Sequence, residues 1–173
     1  MSRLAAGLLL AALAIPATSG CATTSVDAAH PEARAYDETR DAAADVDAAL
    51  AEANVSGKNV LLVMGANWCH DSRAFAGWME TPRFAAMLEQ EFETVYVDVG
   101  NPQNGEGRNL AIAARFGLDS IVGTPTVLII APDGTLLNKD TAGSWRNTAS
   151  RSEGAIFDEL ANFAIKKAYS PSR

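Results

Sequence analysis

Cysteine occupies only two of the 173 positions, Cys21 and Cys69. Cys69 has no second cysteine near it, so any chemistry at that sulfur is single-thiol chemistry. Histidine is equally sparse. His30 lies in an Ala/Thr/Ser-rich stretch, and His70 sits between Cys69 and Asp71, where three consecutive donors cannot converge on one ion. No metal site is expected from that arrangement. Positive charge is also scarce: 14 Lys and Arg against 21 Asp and Glu give a net charge of −7, with no basic stripe. Nucleic acid is therefore excluded as a partner, and the dispersed acidity reads as a solvated surface. What the chain does have is 48% hydrophobic and 20% charged residues, enough for one globular domain with a real core.

The first segment is not part of that core. Residues 1–20 place Arg3 before the apolar run Leu4–Ile15, then Pro16 and the small residues Ala17 to Gly20, a signal-peptide layout too short for a membrane span. Ser19-Gly20-Cys21 resembles the end of a bacterial lipobox, with Thr18 at a position that is more often aliphatic. The resemblance implies that Cys21 is lipid-modified, becomes the new N-terminus and is unavailable for a disulfide; simple secretion is the other outcome. No Asp follows Cys21, which resembles the sorting pattern for an outer membrane. The expected location is the periplasmic side of a bacterial membrane, or the exterior. Residues 21–35 read as a flexible tether and 36–173 as the folded domain.

Within that domain the patterns alternate between helix and strand. Tyr36–Ala53, rich in alanine and closed by Ser56-Gly57, predicts a helix, and Val60–Met64 within Lys58–Ala66 predicts a strand buried on both faces. Phe75, Trp78 and Met79 recur at helical spacing, as do Phe84, Met87 and Leu88 beyond a break at Thr81-Pro82. Thr94–Val99 predicts the next strand, 101–107 a turn-forming loop without regular structure, and Arg108–Phe116 a helix. The apolar run Val127 to Ile130, the turn Pro132-Asp133-Gly134 and Thr135–Leu137 predict a hairpin. A last helix from Ser152 to Ala168 lines up Ile156, Leu160, Phe163 and Ala164.

The chemistry concentrates between the first strand and the next helix, at Gly65 to Arg73. A cysteine at a helix start meets unpaired amide donors and the positive end of the helix, which favour thiolate over thiol. His70 can add positive charge and the Ser72 hydroxyl can donate to the sulfur. Asp71 opposes both and is expected to turn outward, where Asp71, Arg73 and Asp98 form a surface ion-pair set.

Trp68-Cys69-His70-Asp71-Ser72 resembles the Trp-Cys-x-x-Cys active site of the thioredoxin superfamily, with serine in place of the second cysteine. Val122-Gly123-Thr124-Pro125-Thr126 resembles that family's cis-proline segment. The resemblance implies an α/β thioredoxin-like fold, a central mixed β-sheet flanked by helices, a cis bond at Thr124-Pro125, and a substrate groove walled by Trp68, Gly123, Thr124 and Pro125. Two departures accompany the missing thiol: Val63 and Val95 stand where the family often carries a buried Asp and Lys. The Cys-Gly-Phe-Ser pattern of cluster-carrying monothiol glutaredoxins is absent, and no cofactor is expected. Three functions stay open. Cys69, with Ser72 and His70, exchanges disulfides with protein or peptide substrates; or the groove grips a partner peptide without redox turnover; or Cys69 cycles through a sulfenic acid.

Overall fold

The computed structural model describes residues 30–168, and the expected signal segment and the Cys21 anchor lie outside them. At its centre is β1 (Asn59–Gly65), buried along its whole length. It pairs in parallel with β2 (Phe92–Asp98) and antiparallel with β5 (Thr126–Ile130), giving a mixed sheet in the order β2-β1-β5.

Because successive strand side chains point to opposite faces, the apolar run of β1 supplies two cores. Leu61 and Val63, with Val127 and Ile129 of β5, face one way. They pack against Phe75 and Met79 of α2 (His70–Met79), Phe84 of α3 (Pro82–Glu91), and Ile156 and Leu160 of α5 (Glu153–Ala168). Val60, Leu62 and Met64, with Leu128 and Ile130, face the other way. They meet Val46, Ala49 and Ala53 of α1 (Ala42–Ser56) and Ile112 of α4 (Leu110–Arg115). Each fully buried aliphatic side chain is worth roughly 1.5–3 kcal/mol, so this one strand anchors both layers.

Several boundaries differ from expectation for local reasons. The first helix begins at Ala42, not Tyr36, because the Asp41 side chain accepts from the Ala44 amide and caps it there. Upstream, Asp37 instead accepts from the Thr39 amide and closes a turn. Gly57 ends the helix in the left-handed conformation at φ 69°. The loop at 101–107 does contain regular structure: β3 (Gly100–Asn101) and β4 (Glu106–Gly107) form a minimal antiparallel pair around a single 3₁₀ turn. The expected strand Thr135–Leu137 is only a bridge between Ile130 and Leu136. There the Asn138 side chain takes over the edge of β5, accepting from the Ile129 amide and donating to the Val127 carbonyl. A 3₁₀ segment at Ala142–Ser150 had no periodic signal, yet it buries Trp145 edge-on against Phe75, ring centroids 5.4 Å apart.

The largest correction concerns the tether. Residues 30–35 do not hang free but dock on α2: the Ala33 amide donates to the Arg73 carbonyl at 3.0 Å, and Ala33 and Ala35 pack against the core. The crossing is close enough that a Cβ on Gly77 would lie 2.4 Å from the Pro31 backbone. A small residue at that point of α2 is what lets the strap lie flat.

Candidate functional site around Cys69

Strand register brings the two motif segments together. Met64 of β1 pairs with Thr126 of β5, so the chain leaving β1 passes alongside Gly123-Thr124-Pro125. The Cys69 amide donates to the Ala66 carbonyl, closing a turn, and Cys69 then caps α2 in an extended conformation without a side-chain cap bond. Its sulfur lies 3.2 Å from the Thr124 carbonyl oxygen, to which the thiol donates across 55 residues of sequence. The Thr124-Pro125 peptide bond is cis. Thr126 holds the loop through its hydroxyl, which donates to the Gly123 carbonyl at 2.8 Å.

The sulfur is nearly covered, with Cys69 only 7% exposed, while Trp68 beside it is 54% exposed and Val122 of the facing loop 63% exposed. Thr124 and Pro125 are buried behind that rim. The Trp68 ring is fixed by its Nε1, which donates to the Gly100 carbonyl at 2.9 Å. The β3–β4 hairpin is thus tied to the motif. On the other side of Trp68 lies a cleft of about 780 Å³, lined by Tyr36, Asn67, Asp98, Gly100 and Arg108 among others.

Ser72 does not reach the sulfur. It is fully buried, one turn into α2, and its hydroxyl has no hydrogen-bond partner among the described residues. The space around it explains why: a Cβ on Gly65 would fall 2.7 Å from Ser72 Oγ and 2.6 Å from the Tyr36 ring, so Ser72 is packed down between them. His70 is more than half exposed, and its Nε2 lies 3.0 Å from Glu32 Oε1. Asp71 is not turned to solvent: it accepts from the Ala149 amide at 2.8 Å and ties α2 to the 142–150 segment. Nor do Asp71, Arg73 and Asp98 form one ion-pair set, since Arg73 pairs with Glu32 and Asp98 with Arg108.

The strap supplies site residues that no sequence pattern had singled out. Asn67, inside the motif, donates to the Tyr36 carbonyl at 2.6 Å and accepts from the Tyr36 amide at 3.3 Å. The Tyr36 hydroxyl donates to the Ser72 carbonyl at 3.2 Å. Burial pushes the Tyr36 phenol well above its ordinary value, with Tyr96 and Cys69 adding to the rise. Tyr36 is therefore neutral, with its hydroxyl proton committed to the Ser72 carbonyl. Arg73 joins the strap to the motif loop: it bonds Glu32 at 2.8 Å and donates to the Asn67 and Trp68 carbonyls. That guanidinium holds the Glu32 carboxyl below its usual range.

A cysteine capping a helix, backed by a cis-proline loop at the edge of a mixed sheet, is the arrangement that the resemblance to the thioredoxin superfamily implies. The family model described as thioredoxin-like matches residues 41–132, and the chain belongs to that family. Among solved structures it is similar to a disulphide isomerase from Xylella fastidiosa Temecula1, with 34% sequence identity and a TM-score of 0.66. The match covers 75% of this chain and 96% of that one. No curated protein matches the sequence.

Proposed function

We propose that the protein carries out single-thiol disulfide exchange on extracytoplasmic protein substrates through Cys69, held at the membrane by a lipid on Cys21. The observation that carries the reading is the 3.2 Å approach of Cys69 Sγ to the Thr124 carbonyl beside a cis-proline, under the exposed rim of Trp68 and Val122. A substrate disulfide entering over that rim meets the sulfur with the buried cis-proline segment directly behind it. The similarity to a disulphide isomerase supports thiol–disulfide exchange as the general chemistry.

The Cys69 thiol loses its proton to solvent and its sulfur attacks one substrate sulfur. The substrate S–S bond breaks, an S–S bond to Cys69 forms, and the departing sulfur leaves as a thiolate that takes up a proton. With no second cysteine in the motif, release falls to an outside thiol. If another thiol of the same substrate attacks its own sulfur in the mixed disulfide, the substrate leaves with a rearranged bridge and Cys69 is regenerated, with no net oxidation or reduction. If a small thiol such as glutathione attacks that substrate sulfur, Cys69 is again released and the substrate carries the small thiol as a mixed disulfide. Trp68, Gly123, Thr124 and Pro125 form the wall that orients the substrate.

The test is to incubate the full chain with a disulfide-scrambled protein in a glutathione buffer and follow both covalent adducts and recovery of native pairing. Wild type is expected to form adducts that reductant dissolves and to speed recovery; Cys69→Ala should do neither. Equal binding of substrate by both forms, with no adduct from either, would overturn exchange in favour of a groove that only grips peptide. Incorporation of a fatty-acid analogue, lost in Cys21→Ser, is the expected result for the anchor.

A further inference from the structure

We propose that His30, Glu32 and His70 form a binding site for a divalent transition-metal ion of the zinc class at the start of α2. Donor atoms of the three residues lie within 4.8 Å of one another although 40 positions separate the two histidines in sequence. The docked strap brings them together. The two rings sit 4.6 Å apart between centroids, tilted by 58°. His70 Nε2 and Glu32 Oε1 are already 3.0 Å apart. In a tetrahedral site with bonds of about 2.0–2.1 Å, neighbouring donors stand about 3.3 Å apart, close to the separation that His70 and Glu32 already have.

The donor chemistry selects the ion. Two imidazoles and one carboxylate suit zinc, nickel or copper and are poor for calcium or magnesium, which want an oxygen shell. Glu32 is oriented from behind: Arg73 holds Oε2 at 2.8 Å, leaving Oε1 toward His70. An outer partner fixing a ligating carboxylate is the usual support for such a centre. The positive end of α2 opposes a cation, and Glu32 and Asp71 in the surroundings offset it. His30 and Glu32 lie on the strap and His70 on α2, so an ion there would fasten the strap beside Cys69. The site stands apart from the thiol reading, because Cys69 supplies no donor to it.

Titrating zinc alone into the full chain by calorimetry is expected to give one ion per chain, with His30→Ala and His70→Gln each weakening binding at least tenfold. Cobalt in place of zinc should show ligand-field bands without a thiolate charge-transfer band, and Cys69→Ala should bind as wild type does. His70→Gln, at an exposed position, keeps a polar side chain and checks that a loss is not misfolding, as does an unchanged circular dichroism spectrum. Absence of binding by the folded chain, binding unaffected by both histidine substitutions, or binding lost in Cys69→Ala would each overturn the proposal.

Discussion

Two glycines show how differently the two sides of the Cys69 site are built. A Cβ on Gly77, beneath the N-terminal strap, would stand 2.4 Å from the carbonyl carbon and oxygen of Pro31, which are backbone atoms. A Cβ on Gly123, in the loop before the cis-proline, would stand 3.0 Å from Cδ of Arg146, an exposed and flexible side chain. The strap is a close backbone crossing held by specific side chains: Asn67 on Tyr36, Arg73 on Glu32, His70 on Glu32. The cis-proline wall is held by strand register and by neutral bonds to backbone carbonyls. The first is expected to break on single substitutions that the second tolerates.

The strongest break is Gly77→Ala. The methyl must push Pro31 off α2, and overpacking of this kind costs about 1–3 kcal/mol, which denaturant unfolding would register as a lower midpoint. An undisturbed midpoint would mean that the strap contributes little to stability. Next comes Tyr36→Phe, which removes the buried donor to the Ser72 carbonyl. A net loss of about 0.5–1.5 kcal/mol is expected, together with a changed rate of Cys69 adduct formation if the phenol assists the thiol. Unchanged exchange with lowered stability would reduce Tyr36 to a packing role. Gly123→Ala should stay within about 0.5 kcal/mol of wild type, because Arg146 can swing away; a larger loss would show that the cis-proline wall is as tightly fitted as the strap.

This difference also decides what could be read from the chain. The sheet and its helices were legible because β1 carries five consecutive apolar residues, Val60 to Met64, and because Phe75, Met79, Ile156 and Leu160 repeat at helical spacing. The thiol and the proline loop were legible as motifs. The strap was not, because His30-Pro31-Glu32 has no periodicity, and what fixes it are pairings with Asn67, His70 and Arg73 at 31 to 41 positions' separation. For the same reason His30 was set aside as a tether residue. Trp145 escaped notice because a 3₁₀ segment leaves no hydrophobic period. Ser72 was misjudged because proximity in the motif said nothing about Tyr36 and Gly65 packing around its hydroxyl.

The smallest effect separates the two walls by pH. Arg73 hydrogen-bonds Glu32 and holds its carboxyl below the ordinary value of 4.5. A depressed folded-state value means that the stabilisation is fully present above pH 4.5 and fades as pH falls through the lower, folded-state value. The bonds that fix the cis-proline loop, from Cys69 to Thr124 and from Thr126 to Gly123, contain no carboxylate. Acidification below 4.5 should therefore loosen the strap first. The Ala33 amide, bonded to the Arg73 carbonyl, should lose exchange protection while the Ile129 amide of β5, bonded to the Asn138 side chain, keeps its own. Glu32→Gln should abolish that pH response and leave Ala33 at its low-pH protection throughout. Equal loss at both places would mean that acid acts on the domain as a whole and that the strap is no separate unit.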